Sequence, residues 1–424
     1  MEVLILNDYA SVTGGSSAVA LASARGLAAR GIGVTLFTCV GPVAPDLAGQ
    51  PNLELVCLDQ PEIGRDPNRL RALVGGLRNG PAVRRLDALL AEKDPAETII
   101  HLHTWTKALS PFAAVLAARR GFRVVVTLHD FFITCPTGGF FLHNSGQLCH
   151  LRPLSVGCVS CNCDRRNYGH KLWRVLRTVL QNRILRLPEQ VAHFVAVSRF
   201  SLEVMRPYLP PQVPASVIRN PIESEREPAV GAAENRDFVF IGRLEEEKGA
   251  RLFAAAVRAA GVPAVFLGDG ALAPELKATY PEIRFPGWLP PSEIRRALRT
   301  ARVVVFPPLW YETLGMVVIE AASLGVPVIV SDSCAATDFI KNGENGLHFK
   351  HGSVTSLAGQ IARLRDQPGE VRRLGQAAYR WYWSAPWTTE DHVENLVALY
   401  QRILAPHAAT VRATETISNP LEVI

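Results

Sequence analysis

The feature that most limits how this chain can fold is an alternation of short apolar runs and helical stretches that breaks off once, at residues 221–236, and then restarts. VLIL at 3–6 is followed by a loop with Gly14 and Gly15, a helical stretch and then IGVTLFTCV, which reads as a β-α-β unit. TIIHLHTW and FRVVVTLHD supply two more strands, ending near His103 and His129, and HFVAVSRF a further one. The segment from Pro221 to Arg236 loses apolar periodicity and gains proline and charge, as a linker does. FVFIGRLEEEKGARLFAAAVRAA then opens a second strand–loop–helix series, continued by AVFLGDG and ARVVVFPP. Buried strands alternating with helices imply parallel sheets, so the expected fold class is α/β, with two doubly wound Rossmann-like domains. Ligands of such sheets bind outside the carboxyl ends of the strands.

The second series contains YETLGMVVIEAASLGVPVIVSD, residues 311–332. Gly315 is placed to open a helix, Gly325 to close it and Pro327 to stop it before a buried strand. Glu312 and Glu320 bracket the start of that helix and stand roughly 10 Å apart at about 1.5 Å per helical residue. Between them the amides of Leu314, Gly315 and Met316 lack intrahelical acceptors and lie at the positive end of the helix dipole, which suits a phosphate. Arg243 and Lys248 follow the first strand of the same series and can neutralise a diphosphate. G-x-G-x-x-G is absent after the first strand, which argues against a hydride-transfer enzyme.

These residues resemble the family-4 glycosyltransferases of the GT-B fold. The Glu312-x7-Glu320 element in EAASLGVPVIVSD context and the GR-L-x-x-x-KG context of Arg243 and Lys248 carry the likeness. It implies a retaining transfer of sugar from a nucleoside-diphosphate sugar to an acceptor hydroxyl in an interdomain cleft, in polysaccharide or glycoconjugate biosynthesis. By resemblance Arg243 and Lys248 bind the donor phosphates, Glu312 the sugar hydroxyls and Glu320 the ribose. His129 then sits near the reacting centre, and Gly14, Gly15, Gly268, Gly287, Trp288 and Leu289 line the donor. The resemblance also implies domains at 1–220 for the acceptor and 221–385 for the donor, with 386–405 crossing back as a helix and 406–424 a flexible tail. Alternatives on the same fold are a nucleotide-sugar epimerase or a phosphorylase; one of another class is a non-catalytic scaffold that binds sugar nucleotides.

Five of the eight cysteines fall within 135–163, on what reads as an insertion in the first domain. In a reducing compartment metal binding outranks disulfides. Cys158-x-x-Cys161 is a chelating pair, and Cys135 with Cys149, or with His150 in its place, completes the expected ligands of a structural zinc. No cofactor is expected for catalysis, because the cations come from the protein. After the cluster, GHKLWRVLRTVLQNRILRLP mixes Lys171, Arg174, Arg177, Arg183 and Arg186 with leucines. Such a helix either packs inward with its arginines in water or lies on an anionic membrane. A net charge of +6 is mild for 424 residues and does not indicate nucleic acid. MEVLILNDYA reads as a first strand, not a signal peptide, and no apolar run is long enough to span a bilayer, so the expected location is cytoplasmic, with peripheral contact at the inner membrane face. The expected partners are a nucleoside-diphosphate sugar and an acceptor glycan, lipid-linked sugar or small molecule.

Overall fold

A computed structural model describes residues 1–405; the tail expected at 406–424 lies outside the described residues. The strands of the first half are β1 Glu2–Tyr9, β2 Gly33–Val40, β3 Leu53–Cys57, β4 Thr98–Leu102, β5 Arg123–Leu128, β8 His193–Ala196 and β9 Ala215–Val217, with a small antiparallel hairpin of β6 Phe141–Leu142 and β7 Gln147–Leu148. The seven pair in the order 3-2-1-4-5-8-9, all parallel. The second half comprises β10 Asp237–Ile241, β11 Ala264–Leu267, β12 Arg284–Gly287, β13 Ala301–Phe306, β14 Val328–Ser331 and β15 Leu347–Phe349. They pair in the order 12-11-10-13-14-15, again all parallel. Strands such as TIIHL and ARVVVF are buried along their whole length because helices cover both faces.

Strand order reverses at β1/β4 in one sheet and at β10/β13 in the other, so each domain has a crevice at the carboxyl edge there. The helices that bear on the site are α1 Gly15–Ala29, α2 Arg69–Leu77, α3 Tyr168–Val179, α4 Ala250–Ala260, α5 Met316–Ser323, α6 Pro368–Ser384 and α7 Thr389–Leu404. α7 returns to the first domain. Val393, Leu396 and Tyr400 join Val3, Ile5 and Leu21 in one core, and the Tyr400 hydroxyl lies 2.6 Å from His101 Nδ1. Gly26 on α1 leaves room for that docking, since a Cβ there would meet Val393 Cγ2 at 2.5 Å.

α3 inverts the expected arrangement. Lys171 and Arg177 are buried, whereas Leu172, Leu176 and, just beyond the helix, Ile184 are exposed, the last by 66%. The charges turn inward because they have partners there. Lys171 Nζ donates to Cys163 Sγ at 3.2 Å and Cys158 Sγ at 3.6 Å, and Arg177 donates to the Thr106 carbonyl at 3.1 Å while lying over the rings of Phe132 and Trp173. Of the five cations only Arg183 and Arg186 are exposed, whereas the inward-packing reading expected all of them in water.

Candidate active site

The two crevices face each other. Gly15 comes so close to α5 that a Cβ on it would lie 3.3 Å from Met316 Sδ, and Thr313 Oγ1 donates to the His129 carbonyl at 3.0 Å. Ser198 Oγ adds a bond to the Thr313 carbonyl at 2.7 Å. Neither Gly14, which is extended, nor Gly15 is in the left-handed region, and a Cβ on Gly14 would meet nothing within 4 Å, so it is the close approach at Gly15 that calls for a small residue here.

In the second domain, Lys248 Nζ is 2.5 Å from Glu312 Oε2, the indole of Trp310 donates to the same oxygen at 3.0 Å, and Lys248 lies 4.7 Å over that indole. The pair is largely buried, which strengthens it relative to a solvated ion pair. The backbone there leaves no latitude. Gly249 has φ 74°, and a Cβ would sit 1.9 Å from the Pro307 carbonyl oxygen; Gly268 has φ 144°, and a Cβ would sit 2.0 Å from the Gly242 carbonyl oxygen. These contacts lock the turns after β10, β11 and β13 against one another. Gly268 N–H also donates to the Gly287 carbonyl, 2.9 Å away.

Arg243 is mostly exposed, 3.6 Å from Glu247. Gly315, with φ 84°, caps α5, and the amides of Leu314, Gly315 and Met316 have no protein acceptor among the described residues. Glu320 lies one turn into α5 without an ion-pair partner among the described residues, and burial pushes its carboxyl above the usual range, Arg295 acting weakly against that. The structure thus brings Gly15, His129, Lys248, Glu312 and the start of α5 into one cleft. Trp288, just past the outer strand β12, is 73% exposed, while Leu289 packs inward.

His129 Nε2 and His103 Nδ1 are 3.0 Å apart with their rings stacked, and His103 lies in turn beside His101, tilted by 43°. Burial holds His129 and His101 down to about 3, so both stay neutral at physiological pH. Next to His129, burial raises the Asp130 carboxyl to about 6, against the Phe132 N–H that it accepts and the charges of Arg177 and Lys107. The folded chain therefore holds this proton more tightly than the unfolded chain, and stability falls as pH climbs from about 4 to 6. Asp130→Asn keeps an acceptor for the Phe132 amide. It is expected to match the parent near pH 4 and to exceed it above pH 6 by up to about 3 kcal/mol, read from urea unfolding at both pH values.

Sequence reasoning missed three residues. Asp8, fully buried at the end of β1, accepts the amides of Lys107, Ala108 and Leu109 at 2.8–2.9 Å and so shapes the loop after β4. Glu247, the last of three consecutive glutamates, is buried beside Arg243 and His143, with Oε2 unsatisfied. Trp310 orients Glu312. A charged residue at the very end of an apolar run was the available signal for Asp8; Glu247 carries none.

Among the described residues no three His, Cys, Asp or Glu side chains, those of Cys135, Cys149, Cys158 and Cys161 included, are placed to hold a metal ion as the chain stands. Cys163, not Cys161, shares the Lys171 ammonium with Cys158, and that ammonium supplies the positive charge a metal would bring.

Two facing doubly wound domains with the site at both switch points define a GT-B-type molecule, and comparison with known proteins agrees. Structures of a sucrose-phosphate synthase from Thermosynechococcus elongatus (TM-score 0.70, 18% identity, 95% of this chain and 98% of that one) and of HepE from Anabaena in complex with UDP (TM-score 0.64, 16% identity, 95% and 100%) share the fold. Residues 14–221 match the "Glycosyl transferase 4-like domain" and residues 222–381 match "Glycosyl transferases group 1". The chain belongs to the group 1 glycosyltransferase family. A glycogen synthase of Mycobacterium tuberculosis is 30% identical over 184 residues, 38% of this chain and 42% of that protein. The chain thus aligns with less than half the length of that relative. Among the described residues no helix is long and apolar enough to cross a membrane.

Proposed function

We propose that the protein is a retaining glycosyltransferase that moves a sugar from a nucleoside-diphosphate sugar to an acceptor hydroxyl. One observation carries the reading: the Lys248–Glu312 pair and the free amides of α5 lie in the second domain's crevice, directly across from Gly15 and His129 of the first. Lys248, Arg243 and those amides stabilise the leaving diphosphate, Glu312 and Glu320 hold sugar and ribose hydroxyls, and neutral His129 orients the reacting groups. The acceptor's proton passes to a donor phosphate oxygen, with attack on the face the diphosphate leaves. That the Anabaena neighbour was solved with UDP, and again with UDP-glucose, supports a nucleotide-sugar donor. A thermal-shift panel of UDP-, GDP- and ADP-sugars tests the reading. One of the three at a hundred times its dissociation constant should stabilise the fold by about 2.7 kcal/mol, and no shift with any of them removes the proposal.

The protein's own cations make a divalent metal unnecessary for transfer. Activity should survive EDTA, and its loss with recovery on adding magnesium or manganese would contradict this. A structural zinc on the cysteine insertion is a separate proposal. Five thiols in one segment support it, Lys171 would have to yield the position, and elemental analysis at one zinc per chain decides it. We also propose a cytoplasmic location with peripheral contact at the inner membrane face. The ridge of Leu70, Leu73 and Val74 on α2 with Leu172 and Leu176 on α3 supports it, and vesicle flotation of Leu172→Asp/Leu176→Asp against the parent tests it.

A further inference from the structure

A cavity of about 710 Å³ opens in the first domain between α2, α3 and the segments that follow β4 and β5. Its volume is in the range of small-molecule sites. Five cations line it, Arg69, Lys107, Arg166, Arg174 and Arg177, against a single lining carboxylate, Glu62. Lys107 is 3.7 Å from Glu62, and Arg174 is 2.9 Å from Asp164 behind it. A surplus of three positive charges remains in a walled space, where the field is focused on whatever enters.

Arg177 makes the site more than a charged surface. It is 5% exposed and has no carboxylate within 4 Å among the described residues; its bonds are the Thr106 carbonyl and two aromatic faces. Asp8 and Asp130 lie behind it, hydrogen-bonded to backbone amides, and attract it only from a distance. A buried guanidinium with spare donors and no carboxylate in contact is stabilised by an anion arriving from outside.

The cavity also touches the cleft. Phe132, on its wall, lies three residues past His129 and packs on Gly138. The adjoining Gly139 packs on Trp310, whose indole holds Glu312. Arg174 donates to the Thr137 carbonyl of the same loop. One short loop thus separates the cationic cavity from the carboxylate assigned to the donor sugar.

We propose that this cavity receives the acceptor, and that the acceptor carries a phosphate or diphosphate ester bound by Arg177, Arg174 and Lys107. The proposal rests on the transferase reading for the word acceptor, but the anion site stands on its own geometry. Phe132 and Trp173 offer ring faces to the sugar or chain that bears the phosphate.

Inorganic pyrophosphate, followed by titration calorimetry, is the probe. Because it can also occupy the donor crevice, the measurement is made in Arg243→Ala/Lys248→Ala protein, which should keep one binding event. Adding Lys107→Gln/Arg174→Gln should weaken that event at least about ten-fold, as expected on losing two charge-assisted contacts. Lys107 is half-exposed, but Arg174→Gln leaves the buried Asp164 without its partner, so circular dichroism checks folding and Lys107→Gln alone, expected to weaken binding about three-fold, is the second variant. Complete loss of binding in the Arg243→Ala/Lys248→Ala protein, or an affinity within two-fold after the second pair of changes, overturns the proposal. Competition then identifies the source. Displacement by glucose 1-phosphate marks a soluble ester, displacement by phosphatidylcholine vesicles containing phosphatidate but not by plain ones marks a lipid phosphate, and displacement by neither overturns the proposal. Nucleotide-sugar binding by the parent protein is scored separately, so that failure of the donor reading and failure of the anion cavity are told apart.

Discussion

Lys248→Ala should lower kcat/KM for sugar transfer by about 10²–10³-fold, the loss that follows removal of one group aimed at developing negative charge. The ammonium is fixed on three sides, by the Glu312 carboxylate, by the Trp310 face and by the turn that Gly249 closes, so it needs no reorganisation when the diphosphate leaves. Its removal also leaves the Glu312 carboxylate with the Trp310 indole as its one side-chain partner among the described residues, in a largely buried place, which adds to the cost. For the same reason Lys248→Ala and Glu312→Gln should combine to much less than the product of their separate effects, because they act on one unit. Kinetics of the two single variants and the double variant measure this. Activity within a few-fold of the parent in Lys248→Ala would reduce the pair to an ordinary structural ion pair.

Gly249→Ala should destabilise the second domain by about 3 kcal/mol or more, the sum of a left-handed backbone strain and an overpacking that has nowhere to relax. The obstruction is backbone on both sides. The new methyl would stand 1.9 Å from the Pro307 carbonyl oxygen and 2.9 Å from its carbon, so either the turn after β10 or the end of β13 must move. Those are the segments that carry Lys248 and lead to Glu312, and activity should fall along with stability. Gly261→Ala is the control. Its φ is 63°, but a Cβ there meets nothing within 4 Å, so it should cost only about 1–2 kcal/mol of strain and leave transfer intact. Urea unfolding of both variants alongside the parent checks the difference; equal losses would mean that the Pro307 contact is soft.

Periodicity made the two α/β halves and the break at 221–236 legible, because strands buried on both faces leave unbroken apolar runs. The helix after Gly315 was legible for the same kind of local reason, a left-handed cap followed by a short apolar turn and a proline stop. Lys248, Glu312 and the α5 amides could be singled out because strand-end position and motif spacing are properties of the chain itself. The glycine pair at 14–15 was visible as a loop open to close approach. The partner at Gly15 was not, since that is Met316, about three hundred residues away, and Gly14 meets nothing within 4 Å.

The linear order of residues determined the fold class, the number of parallel sheets and the residues that could meet a diphosphate, since each depends on local pattern and on the parallel topology that such a pattern enforces. Only the tertiary structure decided that Lys248 neutralises Glu312, that Glu247 and Asp8 are buried acids, and that α3 points its lysine and arginines inward and its leucines out. Helical spacing shows which residues share a face, but not which face the rest of the molecule covers. Here the thiols of the insertion and the Thr106 carbonyl gave the cations better partners than water, so polarity alone pointed the wrong way.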